Sequence, residues 1–86
     1  MQTEQYTEKT HPSAEACGPD GWIRRERMAR RKLTGGRWSM RLLAQLTGMN
    51  PDTINCYEKS RTKPHEVYLG ALRRVFEVHP RAVIRD

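Results

Sequence analysis

A chain of 86 residues with 36% hydrophobic and 30% charged side chains has room for one small domain, whose core must be thin because a chain of this size buries only roughly 60% of its unfolded surface. No apolar run approaches the roughly 20 residues of a membrane span, and Cys17 and Cys56 lack the C-x-x-C or Cys/His spacing of a zinc site. The net charge of +6 is uneven: residues 1–20 hold four carboxylates against one lysine, and residues 21–86 hold 15 basic and six acidic side chains. That excess surrounds the second segment with a positive field, for which a polyphosphate is the commonest partner.

Residues 1–20 show no apolar period and include Pro12, Gly18 and Pro19, so they are expected to form a flexible acidic N-terminal tail ahead of a folded domain at 21–86. Met1 to Thr10 is polar and acidic and is not expected to act as a signal peptide. Two free thiols suit a reducing compartment, so a cytoplasmic protein without a Cys17–Cys56 disulfide is expected. From Trp22 to Lys32 good helix formers run without a breaker. Asp20 is placed to cap that helix, and Trp22, Ile23, Met28, Ala29 and Leu33 are its expected apolar face. The six cations Arg24, Arg25, Arg27, Arg30, Arg31 and Lys32 are read either as steering the chain to a polyanion or as a solvated face.

Thr34-Gly35-Gly36 ends the first helix. Ser39 caps a second, Met40 to Thr47, with Leu42, Leu43 and Leu46 as its stripe and Gly48 closing it at a left-handed position. Asn50-Pro51 opens a third, as Asn at the N-cap followed by Pro at the first helical position favours, and it runs to about Glu58 or Lys59. After a polar loop, Glu66 to Glu77 forms a fourth helix on Leu69, Leu72, Val75 and Phe76. His79-Pro80 starts a short fifth, with Val83 and Ile84 inward. Trp22 and Trp38 are expected as lids on the core.

The segment Met40 to Lys59 concentrates the functional signal. Ala44 is small where two steeply crossing helices touch, Met49 fills the wedge under the turn, and Ile54 and Tyr57 anchor the third helix. Its opposite face then offers Asp52, Thr53, Asn55 and Cys56, the arrangement of a helix that enters a major groove. Asn50, Asp52, Thr53, Asn55 and Cys56 are the base-reading candidates: Asn pairs with adenine, Asp accepts from cytosine, and a Thr methyl meets a thymine methyl. For Asn50 and Asp52, simple roles as N-cap and dipole partner stand beside that reading.

These residues resemble the helix-turn-helix of the lambda-repressor-like family, the Cro/C1-type or XRE regulators. The match rests on Ser39, Leu43-Ala44, Gly48, Ile54, Glu58 and Pro64. It continues through Leu69, Leu72, Phe76, Val78 and Val83-Ile84, with Ile23, Arg27 and Met28 upstream. The resemblance implies an all-α domain of four to five short helices and a sequence-specific double-stranded DNA-binding regulator, repressor-like and homodimeric. It also implies phosphate contacts from Ser39, Arg41, Lys59, Arg61 and Lys63, and a structural ion pair between Arg27 and Glu58. Two departures are visible: Met40 stands where the family often has Gln, and the connection from Arg30 to Trp38 is long. Leu43 to Glu58 also resembles the MerR family, but no strand signals for a wing follow.

No nucleophile–base pair, paired carboxylates or phosphate loop is visible, so no enzyme and no cofactor is expected. The scattered His11, His65 and His79 argue against a metal. Other roles compatible with the sequence are an accessory DNA factor in recombination or conjugation, and an adaptor or antitoxin that takes a protein partner through the tail.

Overall fold

The computed structural model describes residues 7–60 and 62–81. Among them the regular structure is entirely helical: a 3₁₀ turn at Ser13–Glu15 precedes α1 (Trp22–Leu33), α2 (Met40–Thr47), α3 (Pro51–Lys59) and α4 (Glu66–Val78). Val83, Ile84 and the fifth helix expected around them lie outside the described residues. His79 to Arg81 are not helical.

The helix ends follow local chemistry. Ser39 Oγ accepts from the Leu42 amide at 3.1 Å, and Asn50 Oδ1 accepts from the Asp52 amide at 2.8 Å, so each side chain satisfies a donor that the helix leaves open. Gly48 closes α2 at φ 72°, where any other residue would be strained. Asp20 does not cap α1: Gly21 holds that position without a side-chain bond, and the Asp20 carbonyl instead accepts from Arg25 Nη1 at 3.3 Å.

Leu43, Ile54, Leu69, Leu72 and Phe76 are buried at the centre, with Trp22 and Trp38 over them. The two indoles meet Phe76 at ring-centroid distances of 6.2 and 6.3 Å. The buried stripe of α1 differs from the expected one: it runs Trp22, Ile23, Glu26, Arg27 and Arg30. Met28 and Ala29 are only half-buried, and Leu33 and Leu46 are exposed. The spacing of that stripe is helical, but three of its five members are charged: Arg27 and Arg30 donate to a carboxylate and to carbonyls, and Glu26 accepts from Arg30 and Arg81.

Arg30 shows why that is tolerable. It is 2% exposed, stacks over Phe76 at 4.6 Å, and donates to the carbonyls of Phe76 at 2.8 Å and His79 at 2.5 Å. These are carbonyls that the end of α4 leaves without helical partners. A guanidinium with five fixed donors suits the position better than an apolar side chain. Arg27 and Arg30 are therefore part of the core, and only Arg24, Arg25, Arg31 and Lys32 of the basic cluster face solvent.

The N-terminal segment also differs from the flexible tail read at residues 1–20. Residues 1–6 lie outside the described residues, but 11–20 form a strap packed on the helices. His11 and Ala16 are buried. The Pro12 carbonyl accepts from Trp22 Nε1 at 2.8 Å, and the His11 carbonyl accepts from Arg73 Nε at 3.0 Å. The strap is held by specific polar contacts, which apolar periodicity does not register. It turns directly beneath Gly21, where an added Cβ would lie 2.2 Å from the Ala16 carbonyl oxygen and 2.6 Å from that of Cys17. Gly21→Ala is therefore expected to cost about 1–3 kcal/mol by overpacking, seen as a lower urea midpoint.

Candidate functional site

A three-residue connection, Gly48, Met49 and Asn50, joins α2 to α3. The Met49 amide donates to the Ala44 carbonyl at 2.9 Å, and Met49 and Ala44 are both buried under the turn. α3 is then fixed from below by Ile54, Tyr57 and Glu58, all buried. The Tyr57 hydroxyl accepts from the His65 amide at 3.3 Å, which ties the following loop to the helix. The Tyr57 carbonyl accepts from the Gly18 amide of the strap at 2.8 Å, so the strap finishes the C-terminal end of α3.

The deepest attachment is ionic. Arg27 Nε meets Glu58 Oε2 at 2.6 Å and Arg27 Nη2 meets Glu58 Oε1 at 2.8 Å, while Arg27 Nη1 donates to the Trp38 carbonyl at 3.0 Å. Glu58 is 2% exposed and Arg27 6%. This bidentate pair holds α1, the approach to α2 and the last turn of α3 in one arrangement, and a fork of this kind also fixes orientation.

Anchored this way, α3 turns its other side outward. Asp52, Cys56 and Lys59 are exposed, and Thr53 and Asn55 are half-buried at the edges of that side. Asn50 is exposed too, with its Oδ1 engaged in the cap. Asp52 lies in the first turn, where a carboxylate complements the helix dipole. Ser39 Oγ serves as an acceptor in its cap, which leaves its hydroxyl proton to donate elsewhere. Arg41, Lys59 and Lys63 are exposed and have no carboxylate partner among the described residues. Arg61 lies outside the described residues.

The structure thus places Asp52, Thr53, Asn55, Cys56 and Lys59 along one polar surface, with Ser39 and Arg41 at the start of α2 and Lys63 on the loop beyond α3. The strap's contact with α3 had no signal in the sequence. Cys17 and Cys56 are free thiols, and burial pushes the Cys17 thiol above its ordinary range. Among the described residues no group of three His, Cys, Asp or Glu side chains is placed to hold a metal, and no helix is long and apolar enough to cross a membrane. Comparison with protein-family models, curated proteins and solved structures finds no match.

Proposed function

We propose that this chain is a sequence-specific double-stranded DNA-binding protein, a repressor-like regulator in which α2, the turn at Gly48 and α3 act as a helix-turn-helix. One observation carries the reading: α3 is held by buried Ile54, Tyr57 and Glu58 while its opposite side, from Asp52 to Lys59, stays polar and open. A short helix supported in that way fits a major groove, and base edges there offer distinct donor and acceptor patterns. Arg41, Lys59 and Lys63 flank it as cations for the phosphate backbone, which fixes register without reading sequence.

The order of the helices and the Arg27–Glu58 pair favour the lambda-repressor-like class. A MerR-like arrangement would follow the third helix with a β-wing, and here α4 begins at Glu66. One module gives too little interface for tight specific binding, so two copies are expected to bind an inverted repeat with reading helices roughly 34 Å apart. The sequence places the dimer surface near Phe76 to Ile84; within that stretch Phe76 is fully buried in the protomer and is not available, whereas Val78 is 62% exposed. Such a regulator works on cytoplasmic DNA.

The test is selection of duplexes from a random pool, followed by anisotropy on the selected and a scrambled duplex. Asn55→Ala is expected to cost about 1–3 kcal/mol on the selected duplex and little on the scrambled one, whereas Lys63→Ala weakens both alike and lowers the salt slope by about 1. Equal losses for Asn55→Ala on both duplexes, or no binding at low salt, would refute the reading.

A further inference from the structure

The outward side of α1 carries a groove that the proposed DNA surface does not use. Arg25, Met28, Ala29 and Lys32 follow one another at helical spacing and share a face of α1. With Arg31, Gly35, Gly36 and Arg81 they line an open groove of about 590 Å³. Its floor is Met28 and Ala29, which the helix leaves half-buried because its core stripe is rotated toward Glu26, Arg27 and Arg30. Methionine on such a floor adapts to varied apolar partners. At the far wall Gly35 and Gly36 have positive φ and nothing within 4 Å of where a Cβ would sit, so another chain can approach the backbone there.

The charge around this floor is uncompensated. Arg27, Arg30, Arg73 and Arg81 each meet a carboxylate. Arg25, Arg31 and Lys32 meet none among the described residues. Three unpaired cations around an apolar floor complement a ligand that is both acidic and apolar. A nucleic-acid backbone supplies only the acidic half of that description, because phosphodiesters bring no side chain to bury on Met28. An amphipathic helix supplies both.

We propose that this groove docks an acidic amphipathic segment of a protein partner. Its apolar side chains sit on Met28 and Ala29, and its carboxylates pair with Arg25, Arg31 and Lys32. No residue of α2 or α3 lines the groove, so the proposal stands apart from the DNA reading and survives its failure.

The probe is a short synthetic helical peptide with leucine on one face and glutamate on its flanks, titrated into the full chain and followed by amide and methyl NMR. The expected result is shifts confined to Met28, Ala29, Lys32, Gly35 and Gly36. Arg31→Glu and Met28→Glu weaken binding about tenfold, and Lys63→Glu, off the groove, leaves it unchanged. Lys32→Glu repeats the charge test at a second exposed position, and the amide spectrum of each variant shows that it is folded. A peptide with serine for leucine binds at least tenfold more weakly. Absence of shifts, shifts along Asp52 to Lys59 instead, or equal binding of the serine peptide overturns the proposal. Displacement of the peptide from the groove by a scrambled duplex also overturns it, and assigns the groove to nucleic acid.

Discussion

Glu26→Gln is expected to destabilise the domain by about 3–5 kcal/mol, the range for breaking a buried ion pair by neutralising one partner, with tryptophan fluorescence in a urea titration as the readout. Glu26 is 4% exposed, and three parts of the chain converge on it. Arg30 Nη1 on α1 meets Oε1 at 2.9 Å, His11 Nε2 on the strap meets Oε2 at 3.1 Å, and Arg81 beyond α4 donates to both oxygens. An amide cannot accept through both ends, so Arg30 keeps its charge where water cannot compensate it. A domain with a total stability of about 5–15 kcal/mol has little left after such a loss. Burial by itself raises the Glu26 carboxyl, but the hydrogen bonds from His11, Arg81 and Arg30 outweigh it and hold the group well below the usual carboxylate range. A carboxyl depressed in the folded state contributes its full stability above its unfolded pKa of about 4.3 and loses it as pH falls further. The parent protein is therefore expected to weaken below that pH, with part of the acid slope missing in Glu26→Gln. An unchanged slope in the variant would place the acid-sensitive group elsewhere.

The same cluster shows where the sequence stopped being readable. α2 and α3 could be placed closely because their ends are written in single residues, Ser39, Gly48, and Asn50 with Pro51, and α4 because its apolar period is regular. Their inward faces are apolar at helical spacing, so periodicity finds Leu43, Ile54, Leu69, Leu72 and Phe76. α1 violates that assumption. Its core stripe includes Glu26, Arg27 and Arg30, whose partners lie up to 55 residues away, and no local pattern announces a partner at that distance. With charges inside, the apolar Met28 and Ala29 are displaced toward the surface and Leu33 is exposed. The strap is a second case of the same kind: it docks through His11, the Pro12 carbonyl and the Gly18 amide, none of which belongs to a periodic set. The polar surface of α3 was legible because Ile54 and Tyr57 fix which side of that helix is hidden. On the DNA-binding reading, the complement of that surface is a set of base edges, which no pattern within the chain spells out.

The Arg27–Glu58 pair separates two things that a buried ion pair can do. Arg27→Met alone is expected to cost about 3–5 kcal/mol, because Glu58 is left charged and buried. The double variant Arg27→Met with Glu58→Met removes both charges and is expected to recover most of that loss, since apolar replacements of buried pairs are often neutral. Recovery stays incomplete because the Trp38 carbonyl, which accepts from Arg27 Nη1 at 3.0 Å, loses its partner at a cost of about 1–3 kcal/mol. A thermodynamic cycle over the parent, two single variants and the double variant gives the coupling directly. Stability is only one readout. The pair also joins the last turn of α3 to α1 through two parallel bonds, and methionine side chains have no fork to impose an orientation. On the DNA-binding reading, the double variant then keeps a near-parental urea midpoint but discriminates less between selected and scrambled duplexes. If it discriminates as well as the parent, the pair serves stability alone, and the position of α3 is set by Ile54 and Tyr57.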